Sequence, residues 1–503
     1  MVFYVYIKME YNDKVFVPTC VGNMSTTGAG GENTAGDNSP LEKKMNSINK
    51  SLLELIGNTP MLKLTAFDTG PCELFVKLEN QNTGGSIKDR IGLSIIEEAE
   101  KSGRLAPGGT IIEATAGNTG IGLALVAAIK GYKLILVIPD KMSREKILHL
   151  EGLGVEVIIA RSDVAKGHPD HYQDMAQSLA EKTPNSFLAN QFDNPANALA
   201  HYTTTGPEIW EQTNGQVDAV VAGVGSGGTV AGLAKFFKEK SPHIDIVVAD
   251  PVGSIMADAV KTGEYEYNGG SWLVEGIGED FVPNNIDLNQ LDDAETVPDK
   301  EAVAIVKTLL REEGILAGSS SGTLIGAAVR WCQRQTEPKT VVSFVCDTGN
   351  KYLSKAFNPP WLKDNDLVSR GEEKDLSDLI SRRADLGEMV SVSAQDSLLT
   401  AFKRMRSADV SQLPVMDGCH LLGLIDEEDV LSHVYKNEQL FTDQIEKVMV
   451  TELETLDVQD TEDSLCEILS RGRVAILYRG ETFLGFVTKV DLINRYKSIF
   501  ASV

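Results

Sequence analysis

Paired cysteines are missing from this sequence. Its six cysteines, at positions 20, 72, 332, 346, 419 and 466, are scattered without a CxxC spacing. That excludes a disulfide framework and argues against structural zinc, and it fits reduced thiols in a cytoplasmic chain. Positive charge is also short: 47 Lys plus Arg stand against 72 Asp plus Glu, a formal charge of -25. A nucleic-acid or anionic-membrane surface needs a basic face, so neither partner is expected. Long apolar runs are absent as well. No stretch approaches the roughly 18 residues of a membrane helix, and the opening MVFYVYIKM is short, lacks a basic start and is broken by Lys8. Neither a membrane span nor secretion is expected.

What is present is a chain of 503 residues, enough for about three cores at roughly 150 residues each. Residues 1–47 are rich in Gly, Asn, Thr and Ser and bury too little apolar surface to offset chain entropy, which predicts a disordered tail. Across 48–363 the pattern changes. Short β-branched runs such as Leu74 to Leu78, Thr110 to Ala114, Lys133 to Ile138, Val217 to Ala222, Ile244 to Ala249 and Thr340 to Val345 alternate with helix-length segments. Repeated β then α predicts an α/β fold with parallel sheets, helices on both faces, and sites at the carboxyl ends of the strands. A charge-packed stretch, 364–380, reads as a linker. Beyond it, 381–503 carries a repeat: LLGLIDEEDV (Leu421 to Val430) and FLGFVTKVDL (Phe483 to Leu492) match at a spacing of 62 residues. The copies, about 381–440 and 441–503, are too small to close separate cores and should pack as a regulatory or dimerising pair.

Four motifs carry chemistry. In GGSIKDR, Gly84 to Arg90, the glycines allow close backbone approach and Ser86 is placed to cap a helix. The amine of Lys88 at a helix start sits in positive potential, which lowers its pKa toward Schiff-base chemistry. GVGSGGT, Gly223 to Thr229, follows a strand and opens a helix, the form of a phosphate cradle. It also fits GxGxxG, with Asp250 at the distance of a ribose-binding acid, so a dinucleotide oxidoreductase is the alternative reading of this motif alone. EATAGNTGIG, Glu113 to Gly122, offers hydroxyl, amide and N–H groups suited to a small carboxylate. GSSSGT, Gly318 to Thr323, opens another helix.

Together these motifs resemble the fold-type II pyridoxal-phosphate enzymes, and within them the cystathionine β-synthase family more than its relative O-acetylserine sulfhydrylase. The ADPVGS turn, the VEGIGEDFVP segment and the C-terminal repeats, which are CBS domains forming a Bateman module, carry that preference. The resemblance implies two parallel-sheet subdomains plus an α/β Bateman module, pyridoxal 5'-phosphate as cofactor, and a homodimer. It implies a lyase that condenses serine with homocysteine to cystathionine, with O-acetylserine use and hydrogen sulfide release also open, and cysteine synthase as the nearby alternative. Carried over by motif, Lys88 is the covalent anchor. Gly225, Ser226, Gly227, Gly228 and Thr229 hold the phosphate, Asn118 meets the ring hydroxyl and Ser320 the ring nitrogen. Thr115, Ala116, Gly117, Asn118, Thr119, Gln191 and Gly276 bind the substrate. Ala116 stands where the family often has Ser, and Glu279 where Tyr is frequent. In the Bateman module Thr488 and Asp491 match the residues that hold a nucleoside such as S-adenosylmethionine, whereas the first copy has Asp426 in place of the hydroxyl. The animal relatives' haem is held by an N-terminal Cys and His, but the first histidine here is His149, so no haem and no other metal is expected.

Overall fold

The computed structural model describes residues 49–115, 117–140, 142, 144–161, 163–164, 167–266, 270–368 and 375–501. The expected tail, Ala116 and 369–374 of the charged stretch lie outside them. The first part of the chain runs β1 (Met61–Lys63), β2 (Glu73–Leu78), α1 (Lys88–Lys101), β3 (Thr110–Ala114), α2 (Asn118–Lys130), β4 (Lys133–Pro139), β5 (Glu156–Ala160) and β6 (Ser186–Leu188). It continues through β7 (Ala219–Gly223), α3 (Gly228–Lys240), β8 (Asp245–Pro251), α4 (Met256–Thr262), β9 (Asp293–Val297), α5 (Ser319–Gln333), β10 (Thr340–Val345) and α6 (Pro359–Asp364). These strands form two sheets. One has six strands in the order β1-β2-β10-β7-β8-β9 and the other four in the order β5-β4-β3-β6. Only the short β1 edge pairs antiparallel; every other neighbour is parallel.

The strands of the larger sheet read as apolar runs because helices cover both faces, and Val341, Val342, Val220, Val221 and Val247 are fully buried. Each sheet has its own hydrophobic cluster. Three short strands, β1, β6 and β9, carry too few apolar residues to announce themselves in sequence. Helices start earlier than the apolar pattern indicates: α1 begins at Lys88, three residues before Ile91.

A buried ion cluster fixes α1. Arg90 bonds Glu79 through Nε and Nη2, both at 2.8 Å, and Glu208 at 2.7 and 2.8 Å. Removing one partner would strand a buried charge. Lys88 therefore stands on a helix that is anchored two residues downstream.

The C-terminal part contains β11 (Gln412–Asp417), β12 (His420–Asp426), α7 (Glu427–Val434), β13 (Glu454–Asp457), β14 (Ala475–Arg479), β15 (Thr482–Val487) and α8 (Lys489–Ala501). The 62-residue repeat is visible in backbone detail. The β11–β12 hairpin is irregular between Val415 and Met416 and the β14–β15 hairpin between Leu477 and Tyr478. Contrary to the expectation that neither copy could close a core alone, the two have separate cores, the second completed by Leu376, Leu379 and Ile380 from the stretch ahead of the first. Among the described residues, no helix is long and apolar enough to cross a membrane, and the five described cysteines are free.

Candidate active site

The loops after β2, β3 and β7 carry three of the motifs singled out in sequence at the carboxyl ends of their strands, and the fourth, GSSSGT, opens α5 ahead of β10, where the Gly318 N–H donates to the Asp347 carbonyl just past β10 at 3.0 Å. Lys88 is the first residue of α1. The helix cap is Ile87, not Ser86, but Ser86 Oγ accepts from the Lys88 N–H at 3.3 Å. Among the described residues, no hydrogen bond or ion pair engages the Lys88 amine. Burial lowers its pKa from the ordinary lysine value, with Cys346, Glu279 and Asp347 acting in the opposite sense. The cause is desolvation more than the helix start invoked from sequence: removing water from an ammonium disfavours the charged form.

At α3, Gly227 has φ +82° and occupies the cap position. A Cβ on Gly228 would lie 1.9 Å from Asn197 Oδ1. The loop is held from behind by side-chain amides: Asn197 Nδ2 donates to Ser226 Oγ at 2.9 Å and Asn285 Nδ2 to the Ser226 carbonyl at 3.0 Å. Thr229 Oγ1 lies 3.1 Å from Nε2 of His201, a buried imidazole kept neutral chiefly by desolvation. Among the described residues, the N–H groups of Gly225 to Val230 donate to no protein acceptor. A helix start with free N–H groups, small residues and no carboxylate fits a phosphate group.

The loop after β3 leads into α2 through Gly117, at φ 124°. Thr115 is buried and its Oγ1 accepts from the Gly117 N–H at 3.3 Å, while Thr119 Oγ1 donates to Gln191 Oε1 at 2.7 Å. Thr119 and Gln191, 72 positions apart, are thus joined beside the loop. Gly276 packs its carbonyl against Gly225, where an added Cβ would stand 2.6 Å away. Ser320 is buried near the start of α5 and interacts with the thiol of Cys346, itself raised to about 12 mainly by burial. Asn118 opens α2, and its Nδ2 donates to Asp347 Oδ2 at 2.7 Å.

Asp250 points elsewhere. It is fully buried, and its Oδ2 accepts from the Ala257 N–H at 2.8 Å at the start of α4. Burial raises it to about 6. That Oδ2 oxygen serves the protein's own backbone, a structural role for the residue to which the dinucleotide reading gave a ribose.

A polar network behind Asn118 carries no sequence motif. Lys351 Nζ donates to Asn118 Oδ1, Tyr352 OH donates to Asp347 Oδ2, and Lys146 and Lys355 both pair with Glu275 at 2.6 Å. Lys146, Asp347, Lys351 and Tyr352 are all buried. Buried lysines are rare enough that their positions mark a site, but nothing in the sequence reports burial.

The pyridoxal-phosphate dependent enzyme profile matches residues 52–347, and the CBS domain profile matches 376–436. A cystathionine beta-synthase of Dictyostelium discoideum is 35% identical over 461 residues, 89% of this chain and 92% of that protein. The chain belongs to the cystathionine β-synthase family of pyridoxal-phosphate enzymes. Cysteine synthase 1 of Neurospora crassa is 40% identical over 331 residues, covering 65% of this chain and 88% of that one. The crystal structure of an O-acetylserine dependent cystathionine beta-synthase from Helicobacter pylori superposes with TM-score 0.56 at 38% identity, covering 61% of this chain and 98% of that chain. Membership makes the protein a pyridoxal-phosphate-dependent lyase working by β-replacement, and the free N–H groups of the cradle and the desolvated Lys88 amine fit that cofactor.

Proposed function

We propose that this enzyme condenses serine with homocysteine to give cystathionine, with O-acetylserine as a possible activated donor and hydrogen sulfide as a product when cysteine replaces serine. The observation that carries the reading is that Lys88, Asn118 and the Gly225–Thr229 cradle stand at the helix starts after β2, β3 and β7, with Ser320 at the start of α5 against Cys346 just past β10. The choice within the family is supported by extent: likeness to the named cystathionine β-synthase covers 89% of the chain, whereas likeness to the cysteine synthase covers 65%. The second reading, cysteine synthesis from O-acetylserine and sulfide, is supported by the 40% identity over that shorter span.

When bound, pyridoxal phosphate supplies the electron sink that lets the Cα proton and the β-substituent of the amino acid depart. Lys88 would hold the cofactor covalently. Once displaced, its amine takes the proton from Cα and returns it after the thiol has added, a general-base and general-acid role that its lowered basicity suits. The N–H groups of Gly225 to Thr229 would take the phosphate, and Asn118 the ring hydroxyl. Ser320 would offer the ring nitrogen a neutral hydroxyl. Unlike a carboxylate it does not hold a proton there, which favours β-elimination over transamination. Thr115, Ala116, Gly117, Asn118 and Thr119 would receive the substrate carboxylate, with Gln191 set by Thr119 and Gly276 at the rim.

The same reading places a tail at 1–47, the catalytic domain at 48–363, a joining stretch at 364–380 and the Bateman module at 381–503. It makes the protein a cytoplasmic homodimer without haem, with S-adenosylmethionine held at Thr488 and Asp491. A Soret band in the purified protein would overturn the haem-free part. The deciding experiment is product identification by mass spectrometry, pairing serine or O-acetylserine with homocysteine or sulfide. Cystathionine is expected; cysteine from O-acetylserine and sulfide, with no cystathionine from either donor, would replace the first reading by the second.

A further inference from the structure

Lys351 is buried in the loop that follows β10, and its ammonium has three hydrogens to place. Three oxygens receive them: the carbonyls of Gly84 at 2.9 Å and Gly85 at 3.3 Å, and Asn118 Oδ1 at 3.0 Å. One side chain therefore ties the glycine turn ahead of Lys88 to the first residue of α2. Backbone bonds already join that turn to the Lys351 loop, from Ile87 N–H to the Cys346 carbonyl at 2.8 Å and from Thr348 N–H to the Gly85 carbonyl at 3.0 Å. What the side chain adds is the link to Asn118.

The orientation of the Asn118 amide follows from charge. Its oxygen faces the Lys351 ammonium, and its nitrogen faces Asp347 Oδ2 at 2.7 Å, which also accepts from Tyr352 OH at 2.6 Å. Turning the amide over would set an N–H against an ammonium and an oxygen against a carboxylate, so both ends oppose the flip. One N–H of Nδ2 is used by Asp347. Among the described residues the other has no hydrogen bond of its own, and the Tyr352 hydroxyl stands beside the same amide. Asp347 itself is buried, and it meets this cluster through Oδ2, while its Oδ1 has no partner among the described residues.

We infer that Lys351 is a positioning residue for the cofactor: with Asp347 it locks the Asn118 amide so that its remaining N–H is presented to the phenolic oxygen of the ring. The inference rests on the proposed pairing of Asn118 with that oxygen. A donor held toward a phenolate favours the ionised form. When Lys351 is lost, only the Asp347 end still opposes the turn, and the donor is held less firmly.

The test uses the full-length protein, titrating stripped enzyme with pyridoxal phosphate and recording the absorbance of the bound cofactor, whose neutral and phenolate forms differ in wavelength. Lys351→Met should weaken cofactor binding about tenfold and raise the neutral fraction, and Asn118→Ala should move the same ratio. Lys351→Gln, which keeps a donor and loses the charge, should fall between Met and wild type and serves alone if the Met variant does not fold. A wild-type ratio in the Lys351 variants with a shifted ratio in Asn118→Ala overturns the role of Lys351 and leaves the Asn118 pairing standing. A wild-type ratio and affinity in Asn118→Ala overturns the pairing and the inference with it. A purely structural Lys351 would lower the unfolding midpoint without moving the ratio.

Discussion

At the start of α3 the N–H groups of Gly225 to Val230 meet no protein acceptor among the described residues. At the start of α8, by contrast, both carboxylate oxygens of Asp491 are taken, Oδ1 by the Ser381 hydroxyl and Oδ2 by the Thr488 N–H at 2.7 Å and hydroxyl at 2.6 Å. The same holds at α7, where Asp426 and Asp429 close a reciprocal capping box. Helix starts in the two parts thus differ in who satisfies them. In the catalytic part the protein leaves donors open and builds rigid supports behind them; in the repeats it answers its own polar groups. A buried or half-buried group left open marks a place built around a ligand, because an unpaired polar group costs about 1–3 kcal/mol. A group already answered requires the ligand to displace a protein partner.

The sharpest way to break this contrast is to remove what the catalytic part leaves open. Lys88→Ala should lower turnover by about a thousandfold or more and abolish the visible absorbance of the bound cofactor, measured on the same preparation. Normal activity in that variant would sink the site assignment. Next in size is Gly228→Ala. Its Cβ would fall 1.9 Å from Asn197 Oδ1, on the residue that also holds the Gln191 carbonyl at 2.8 Å and Ser226 Oγ. Overpacking of this kind costs roughly 1–3 kcal/mol, so cofactor affinity should fall roughly ten- to hundredfold in an equilibrium titration, while Gly131→Ala, at a left-handed cap with open space around it, should leave cofactor affinity unchanged.

Glu113 extends the contrast to charge. It is the next-to-last residue of β3, just ahead of the Thr115 loop, is buried, and has one carboxyl oxygen without a partner among the described residues. Burial raises its pKa to about 8, against the lesser opposing effect of bonds from Gln191, Asn190 and Ala114. Its folded-state pKa lies above the unfolded value, so its contribution to stability is full below about 4.5 and is lost as pH rises toward about 8. Glu113→Gln removes that dependence. In urea unfolding, the variant should gain on wild type between pH 5 and pH 9, by on the order of 1–4 kcal/mol. A constant difference across that range would show that Glu113 is ionised throughout.

The parallel sheets, the glycine turns ahead of α1 and α3 and the repeat were legible because each rests on local pattern: β-branched runs, glycines ahead of a helix, a 62-residue match. What stayed hidden depends on long-range packing. Arg90 reads as the last charge of GGSIKDR, and only the fold shows it buried between Glu79 and Glu208. Lys351 lies 233 positions from the asparagine it holds, in a segment with no motif. Asp250 stood at a spacing that suited a ribose, yet the helix that follows β8 claims it. The same limit applied to the repeats: Thr488 and Asp491 matched a binding pattern, while Ser381, which meets Asp491 across 110 positions, carried no signal.

The smallest expected effect tests the self-answered side. Asp491 lines one cleft with Ser381, Asn494, Arg495 and, from α6, Lys363 and Asp364. Asn494 Nδ2 donates to Asp364 Oδ2 at 3.3 Å, so a nucleoside entering that cleft would meet the end of the catalytic part as well as the repeat. Calorimetry with S-adenosylmethionine should give heat for the wild type and none for Asp491→Ala. Ser381→Ala frees Asp491 Oδ1 for a ribose hydroxyl. Because a ligand then no longer breaks a protein bond worth about 1 kcal/mol, affinity should rise about fivefold. A fall in affinity would mean that the Ser381 hydroxyl is part of the ligand's own site, and an absence of heat in wild type and Ser381→Ala alike would leave the repeats as a structural pair.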